Sequence, residues 1–172
     1  DIDISLVENK NFKEDKVNLE IFITRLWDLG FQVGHSIRSV KDIKNISKND
    51  LKEFTSYLTR RPLISSPETD IKISKVLSSV WSKKNFFAAK SLEQEERYSS
   101  FHSTEFNLEP DLKESPGCMR DFQTSLWILQ HCFGLNNYLQ IKKSKEFSLE
   151  IESAINSYNF IKAIRFASNI SS

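Results

Sequence analysis

The sequence predicts an α+β protein that is predominantly helical, and three observations carry the prediction. Two-residue alternation is confined to the first forty positions, three- and four-residue apolar spacing governs most of the remainder, and only 4 glycines punctuate 172 residues. Residues 1–7 read Asp-Ile-Asp-Ile-Ser-Leu-Val, so Ile2, Ile4 and Leu6 share one face and Asp1, Asp3 and Ser5 the other, which is a short strand. Over 13–29 the apolar positions Leu19, Phe22, Leu26 and Leu29 recur at helical spacing, and Gly30 terminates the helix. Residues 31–39, β-branched and aromatic, follow as a second strand. Beyond residue 40 the strand signal fades. Asn49-Asp50 caps a helix running to Arg61, and Pro62 and Pro67 punctuate the stretch after it. Amphipathic helices are expected over 68–81, with Ile71, Val76, Leu77, Val80 and Trp81, and over 85–101, with Phe86, Phe87, Ala89 and Leu92. Two prolines and alternating charges make 106–116 a long loop. The spacing then predicts a helix over 118–133, closed by Gly134, and another over 148–170.

Composition excludes several classes of function. The 24 basic and 23 acidic residues leave a net charge of +1, too little to recruit nucleic acid or an anionic membrane by bulk field. Hydrophobic residues at 39%, with 13 Phe and 3 Trp, can build a core, while no apolar run is long enough to span a bilayer. A soluble, cytoplasmic protein is therefore expected. Cys118 and Cys132 are too few for a disulfide framework or a cysteine zinc cage and read as small buried helix residues. Neither they nor His35, His102 and His131 show zinc-ligand spacing, and no nucleophile elbow occurs. Four glycines cannot supply a glycine-rich phosphate loop. The chain opens at Asp1 directly into an alternating strand, which gives the expectation of a piece of something longer.

Three stretches could carry chemistry. Strand alternation puts Asp1 and Asp3 on one face about 6 to 7 Å apart, where both carboxylates can share a divalent cation; the alternative is a solvated strand end. His35, Ser36 and Arg38, following Gly34, offer an imidazole, a hydroxyl and a guanidinium for a phosphate or a base, or else form an ordinary polar edge. The loop 107–121 carries Glu109, Asp111, Lys113 and Glu114 between Pro110 and Pro116 and runs into Arg120-Asp121. It is either a binding loop or a rigid connector braced by ion pairs. On the helix before it, Lys90 and Arg97 read as a solvated face.

Taken in order, these stretches resemble the bacterial protein-PII uridylyltransferases, members of the polymerase-β-like nucleotidyltransferase superfamily. The family's Ser-Asp-Ile-Asp-Leu-Leu metal strand is matched by Asp1-Ile2-Asp3-Ile4. Its Leu-Trp-Asp and Val-Gly-His-Ser-Val-Arg are matched by Leu26-Trp27-Asp28 and by Val33-Gly34-His35-Ser36-Ile37-Arg38. Its Ala-Lys-x-x-Glu-Gln helix appears at Ala89-Lys90-Ser91-Leu92-Glu93-Gln94, and its Asn-Leu-Glu-Pro…Pro-Gly-Gly-Leu-Arg-Asp signature runs from Asn107 to Asp121, with Cys118 at the second glycine. The resemblance implies the remnant of a nucleotidyltransferase sheet over 1–66 and a helical extension over 67–172. It implies transfer of UMP from UTP to a tyrosine of the PII protein with Mg2+ held by Asp1 and Asp3. It also makes His35, Ser36, Arg38, Glu109, Lys113, Arg120 and Asp121 candidates for substrate binding. The family's Gly-Gly-Tyr-Gly-Arg turn is not in the sequence, so the 172 residues alone are expected to be inactive. A glutamine-synthetase adenylyltransferase-like enzyme and a non-catalytic protein-interaction module are the alternatives.

Overall fold

In a computed structural model, residues 2–8, 12–102, 111–135, 138–143 and 148–171 are described. They form two compact units, residues 1–80 and 81–172, and the predominantly helical α+β class is what is observed.

In the first unit the order is β1 (Ile2–Val7), α1 (Phe12–Asp28), β2 (Val33–Arg38), α2 (Val40–Asn49), α3 (Leu51–Leu58) and α4 (Pro67–Val80). The strands pair in parallel, with Asp3 opposite Gly34 and Ser5 opposite Ser36, which requires the crossover that α1 provides. Gly30 ends α1 in a left-handed conformation at φ +82. One helix departs from the sequence expectation. Ser39, read there as the end of a strand, is the N-cap of α2: its side chain accepts from the Asp42 amide while the Asp42 carboxylate takes the Ser39 amide. The Ser-x-x-Asp spacing of this capping box is visible in the sequence, but the β-branched run before it hides the transition. Substituting Ser39→Ala is expected to cost about 1 kcal/mol of stability, read from the urea midpoint, because a first-turn amide loses its acceptor. Asp50 ends α2 and caps α3 by accepting from the Lys52 and Glu53 amides, as its position predicts.

Helix α4 packs on α2 and α3, within the first unit. The buried side chains are Ile23 of α1, Ile43 and Ser47 of α2, Phe54, Thr55 and Tyr57 of α3, and Ile73 and Leu77 of α4. Arg60, just past α3, fastens this group by donating to the Asp70 carboxylate at 2.6 Å and to Ser74 Oγ at 2.7 Å.

The second unit contains α5 (Lys83–His102), α6 (Met119–Phe133), α7 (Tyr138–Lys143) and α8 (Ser148–Ser171). The short α7 is absent from the sequence expectation; at six residues it is too brief to show a period. Helix α6 packs against α5 and α8, and Phe122 of α6 stacks on Tyr158 of α8 with ring centroids 4.4 Å apart. Phe86, Met119, Trp127 and Ile141 are buried. Cys118 and Cys132 are both only half-buried, and Cys118 is the N-cap of α6 instead of a helix residue, which corrects the expectation for this pair. Among the described residues no helix is long and apolar enough to cross a membrane.

Candidate functional site

Two polar constellations emerge, one in each unit. The first is built on the strand pair. Parallel register makes side chains of paired residues project to the same side, so Asp3, Ser5, Gly34, Ser36 and Arg38 share one face while Ile4 and His35 belong to the other. Helix α3 serves the polar face. Tyr57 Oη lies 2.9 Å from Ser5 Oγ and accepts from Arg38 Nη1 at 3.2 Å, and Ser36 Oγ is 3.4 Å from Ser5 Oγ. Arg38 forks onto the Glu53 carboxylate at 2.6 and 3.1 Å. This bidentate bond to Glu53, with a further contribution from Tyr57, raises the guanidinium pKa against the opposing effect of burial, so Arg38 is fixed in its charged form.

The stretch Gly34-His35-Ser36-Ile37-Arg38 is thereby divided. Ser36 and Arg38 come together on the face of Asp3, whereas His35 meets Trp27 of α1 across the sheet at a centroid distance of 5.8 Å. Strand alternation carries this information; reading the three residues as one cluster overlooks it. Glu53 and Tyr57, which complete the face, lie 15 and 19 residues beyond Arg38 and carry no sequence signal of their own.

Asp3 is exposed, and Asp1 lies outside the described residues. Among the described residues no group of three or more His, Cys, Asp or Glu converges. The donor chemistry at Asp3 nonetheless fits a hard cation. It is an accessible carboxylate on a strand paired with β2, and an added Cβ on the facing Gly34 would lie 2.6 Å from Asp3 Oδ1, so the glycine leaves the space this carboxylate uses.

The second constellation joins the loop before α6 to helix α5. Asp111 Oδ1 accepts from the Lys113 and Glu114 amides at 2.8 and 3.0 Å, folding the loop into a side-chain-capped turn. The chain then reverses through Gly117, whose φ of +79 only glycine adopts freely, and the Gly117 amide donates to Asp121 Oδ2 at 2.6 Å. Cys118 has an extended backbone at φ −94, so nothing at this position demands the glycine that the family pattern carries there. Asp121 collects further donors from α5: Arg97 Nη2, Tyr98 Oη at 2.5 Å and Gln94 Nε2 at 3.3 Å. Arg97 also donates to the Glu114 carbonyl at 2.6 Å. Arg120 forks onto Glu114, donates to Gln123 Oε1 at 3.0 Å and lies over the Trp127 ring.

Of the candidate substrate contacts in this loop, Arg120 and Asp121 are engaged with protein groups, Lys113 contributes main-chain bonds to the turn, and Glu109 lies outside the described residues. Lys90 and Arg97 do not form a solvated face. Lys90 is 1% exposed, pairs with Glu93 at 2.8 Å and sits 4.4 Å above the Trp127 ring, while the Arg97 side chain is 12% exposed. Positions 90, 94, 97 and 98 follow the three- and four-residue spacing of one helix face, a signal that could have grouped them. Their partners on α6 are more than twenty residues away, so burial of that face is a tertiary fact.

The electrostatics follow from these contacts. Burial lowers the Lys90 pKa, against which Glu93 works. Burial pushes the Asp121 carboxyl up, but hydrogen bonds from Tyr98, Arg97 and the Gly117 amide outweigh it and hold the group below its ordinary value. The Arg120 hydrogen bond does the same for Glu114 against burial. Carboxylates with depressed folded values bind fewer protons than in the unfolded chain, so their contribution is complete above their unfolded values and is lost as pH falls through the folded ones. Thermal stability of the chain is therefore expected to decline from about pH 5 downward, and Glu114→Gln should flatten that decline in melting curves taken across the acid range.

Comparison with known proteins gives the class. Residues 85–168 match the family model of the GlnD PII-uridylyltransferase. The chain is 37% identical over 173 residues to the bifunctional uridylyltransferase/uridylyl-removing enzyme of Hydrogenovibrio crunogenus, covering 97% of this chain and 19% of that protein. It is 34% identical over 174 residues to the enzyme of the same name from Vibrio parahaemolyticus, covering 99% and 20%, and 34% identical over 172 residues to that of Pseudomonas fluorescens, covering 97% and 19%. No solved structure matches. These similarities are to proteins of the nucleotidyltransferase type. The similarity to the PII-uridylyltransferase family runs over residues 85–168 by family model and over nearly the whole chain by individual relatives, and the chain spans about a fifth of the length of the curated relatives it matches.

Proposed function

We propose that a complete protein containing this chain transfers a uridylyl group from UTP to a tyrosine of the PII signal-transduction protein in the cytoplasm. The observation that carries the reading is the 34% to 37% identity, over nearly the whole chain, to proteins named for uridylyl transfer and removal. The exposed carboxylate of Asp3 on the polar sheet face supports it.

In this reading Asp1 and Asp3 hold Mg2+. When bound, the ion neutralises triphosphate charge that would otherwise repel the incoming oxygen. A bond forms between the tyrosine oxygen and the α-phosphorus as the phenol proton passes to solvent, the bridging bond from that phosphorus to the β-phosphate oxygen breaks, and pyrophosphate leaves. Ser5 and Ser36 give the face of Asp3 a floor of neutral hydroxyls that can meet a polar substrate without adding charge. Arg38, committed to Glu53 and Tyr57, braces this floor. Residues 111–121 are held against α5 within the second unit. Residues 1–66 are read as the end of the nucleotidyltransferase core and 67–172 as its helical extension.

Incubating the complete protein with labelled UTP, Mg2+ and purified PII tests the proposal. Label is expected on PII and to depend on Mg2+, while the 172 residues alone are expected to leave PII unlabelled, since a triphosphate without a phosphate-binding turn is not positioned. Labelling from ATP in preference to UTP would instead place the protein with the adenylyltransferases, and PII binding without nucleotide turnover would make it an interaction module.

A further inference from the structure

Three of the glycines, Gly30, Gly117 and Gly134, have φ between +73 and +82 and open space where a Cβ would stand. They are explained by backbone conformation. Gly34 is different. It lies inside β2, where any residue type could follow the extended path, and its missing side chain is occupied space: an ideal Cβ would lie 2.6 Å from Asp3 Oδ1 and 3.8 Å from Asp3 Cγ.

We propose that Gly34 is a positioning residue that sets the side-chain orientation in which Asp3 presents its carboxylate to a divalent cation. The inference rests on the proposed role of Asp3 as a metal ligand. Asp3 and Gly34 are register partners on one face of a parallel pair, so a side chain at residue 34 would stand directly beside that of Asp3. One step along, both places are filled, and the Ser5 and Ser36 hydroxyls meet at 3.4 Å. At the Asp3 step only one is filled, and the carboxylate lies across the space left by the other. A carbon at 2.6 Å from a carboxylate oxygen is well inside contact distance, while 3.8 Å from Cγ is ordinary contact, so any Cβ at residue 34 turns the Asp3 carboxylate out of its present orientation by rotation about χ2, χ1 or both. The carboxylate is the end of a short, exposed side chain, so this rotation costs the fold little. It displaces the ligand oxygens by an ångström or more, which is enough to spoil a coordination geometry.

The test is Gly34→Ala in the 172-residue chain, with two readouts besides activity. Crystal structures of both proteins report the orientation of the Asp3 carboxylate, and paramagnetic broadening of the Ser5 and Ser36 amides during titration with Mn2+ reports cation binding near Asp3. The expected result is a turned Asp3 carboxylate and at least a tenfold increase in the Mn2+ concentration needed for broadening. An Asp3 carboxylate in the same orientation in the variant would overturn the proposal. A turned carboxylate with no Mn2+ effect in either protein would support the positioning by Gly34 while removing the metal reading of Asp3, so the two failures are distinguishable. Should Gly34→Ala lower the melting temperature, that change is expected to vanish in an Asp3→Ala background; an additive double variant would also overturn the proposal.

Discussion

Replacing Asp121 with alanine is expected to destabilise the second unit by about 3 kcal/mol, measured as a lowered urea midpoint with unchanged slope. The magnitude reflects the groups that lose their partner. Arg97 and Asp121 have side chains only 12% and 18% exposed, so removing the anion strands a guanidinium largely out of water. The Tyr98 hydroxyl and the Gly117 amide lose their acceptor in the same step. The figure is set at the lower end for a broken ion pair because the residual exposure lets water reach part of the cluster. Asp121→Asn keeps the shape and loses the charge, so it should recover part of the cost. A loss under about 1 kcal/mol for the alanine variant would mean that the loop is held to α5 by something other than this carboxylate.

Asp3→Asn in the complete protein is expected to reduce PII uridylylation on the order of a thousand-fold while leaving the melting temperature close to wild type. Amide and carboxylate have the same shape, and Asp3 is exposed, so the fold has little to lose. In the proposed function the substitution removes an anionic metal ligand from the reaction. Activity within tenfold of wild type, at saturating Mg2+, would remove Asp3 from the site. The contrast with Asp121 separates the two constellations: one substitution should affect turnover without folding, the other folding first.

The strand pair was legible because alternation over 1–7 and the β-branched content near residue 33 are local properties, and both elements appear as β1 and β2. Long amphipathic helices were legible for the same reason. Helix α2 was not, because a capping box at Ser39 and Asp42 competes with the strand-like residues before it. The candidate residues were legible as types. Asp3 reads as a strand carboxylate from its spacing, and the loop 107–121 reads as costly to order from its prolines and charges. Their grouping was not. His35 and Ser36 are neighbours in sequence and on opposite faces in the strand, while Ser5 and Tyr57 are 52 residues apart and share a hydrogen bond of 2.9 Å.

The sequence by itself determined the helical α+β class, the places where chemistry could reside and the family to which the motifs point, since these depend on local periodicity and residue type. Tertiary structure alone decided that Lys90 is buried over Trp127 and Arg97 is bound to the loop, that Arg38 is bound to Glu53, and that a Cβ at Gly34 would meet the Asp3 carboxylate. The physical reason is common to all three. Burial, ion pairing and steric room depend on which distant side chains share a face or a helix contact, and that juxtaposition exists only once strands have paired and helices have packed.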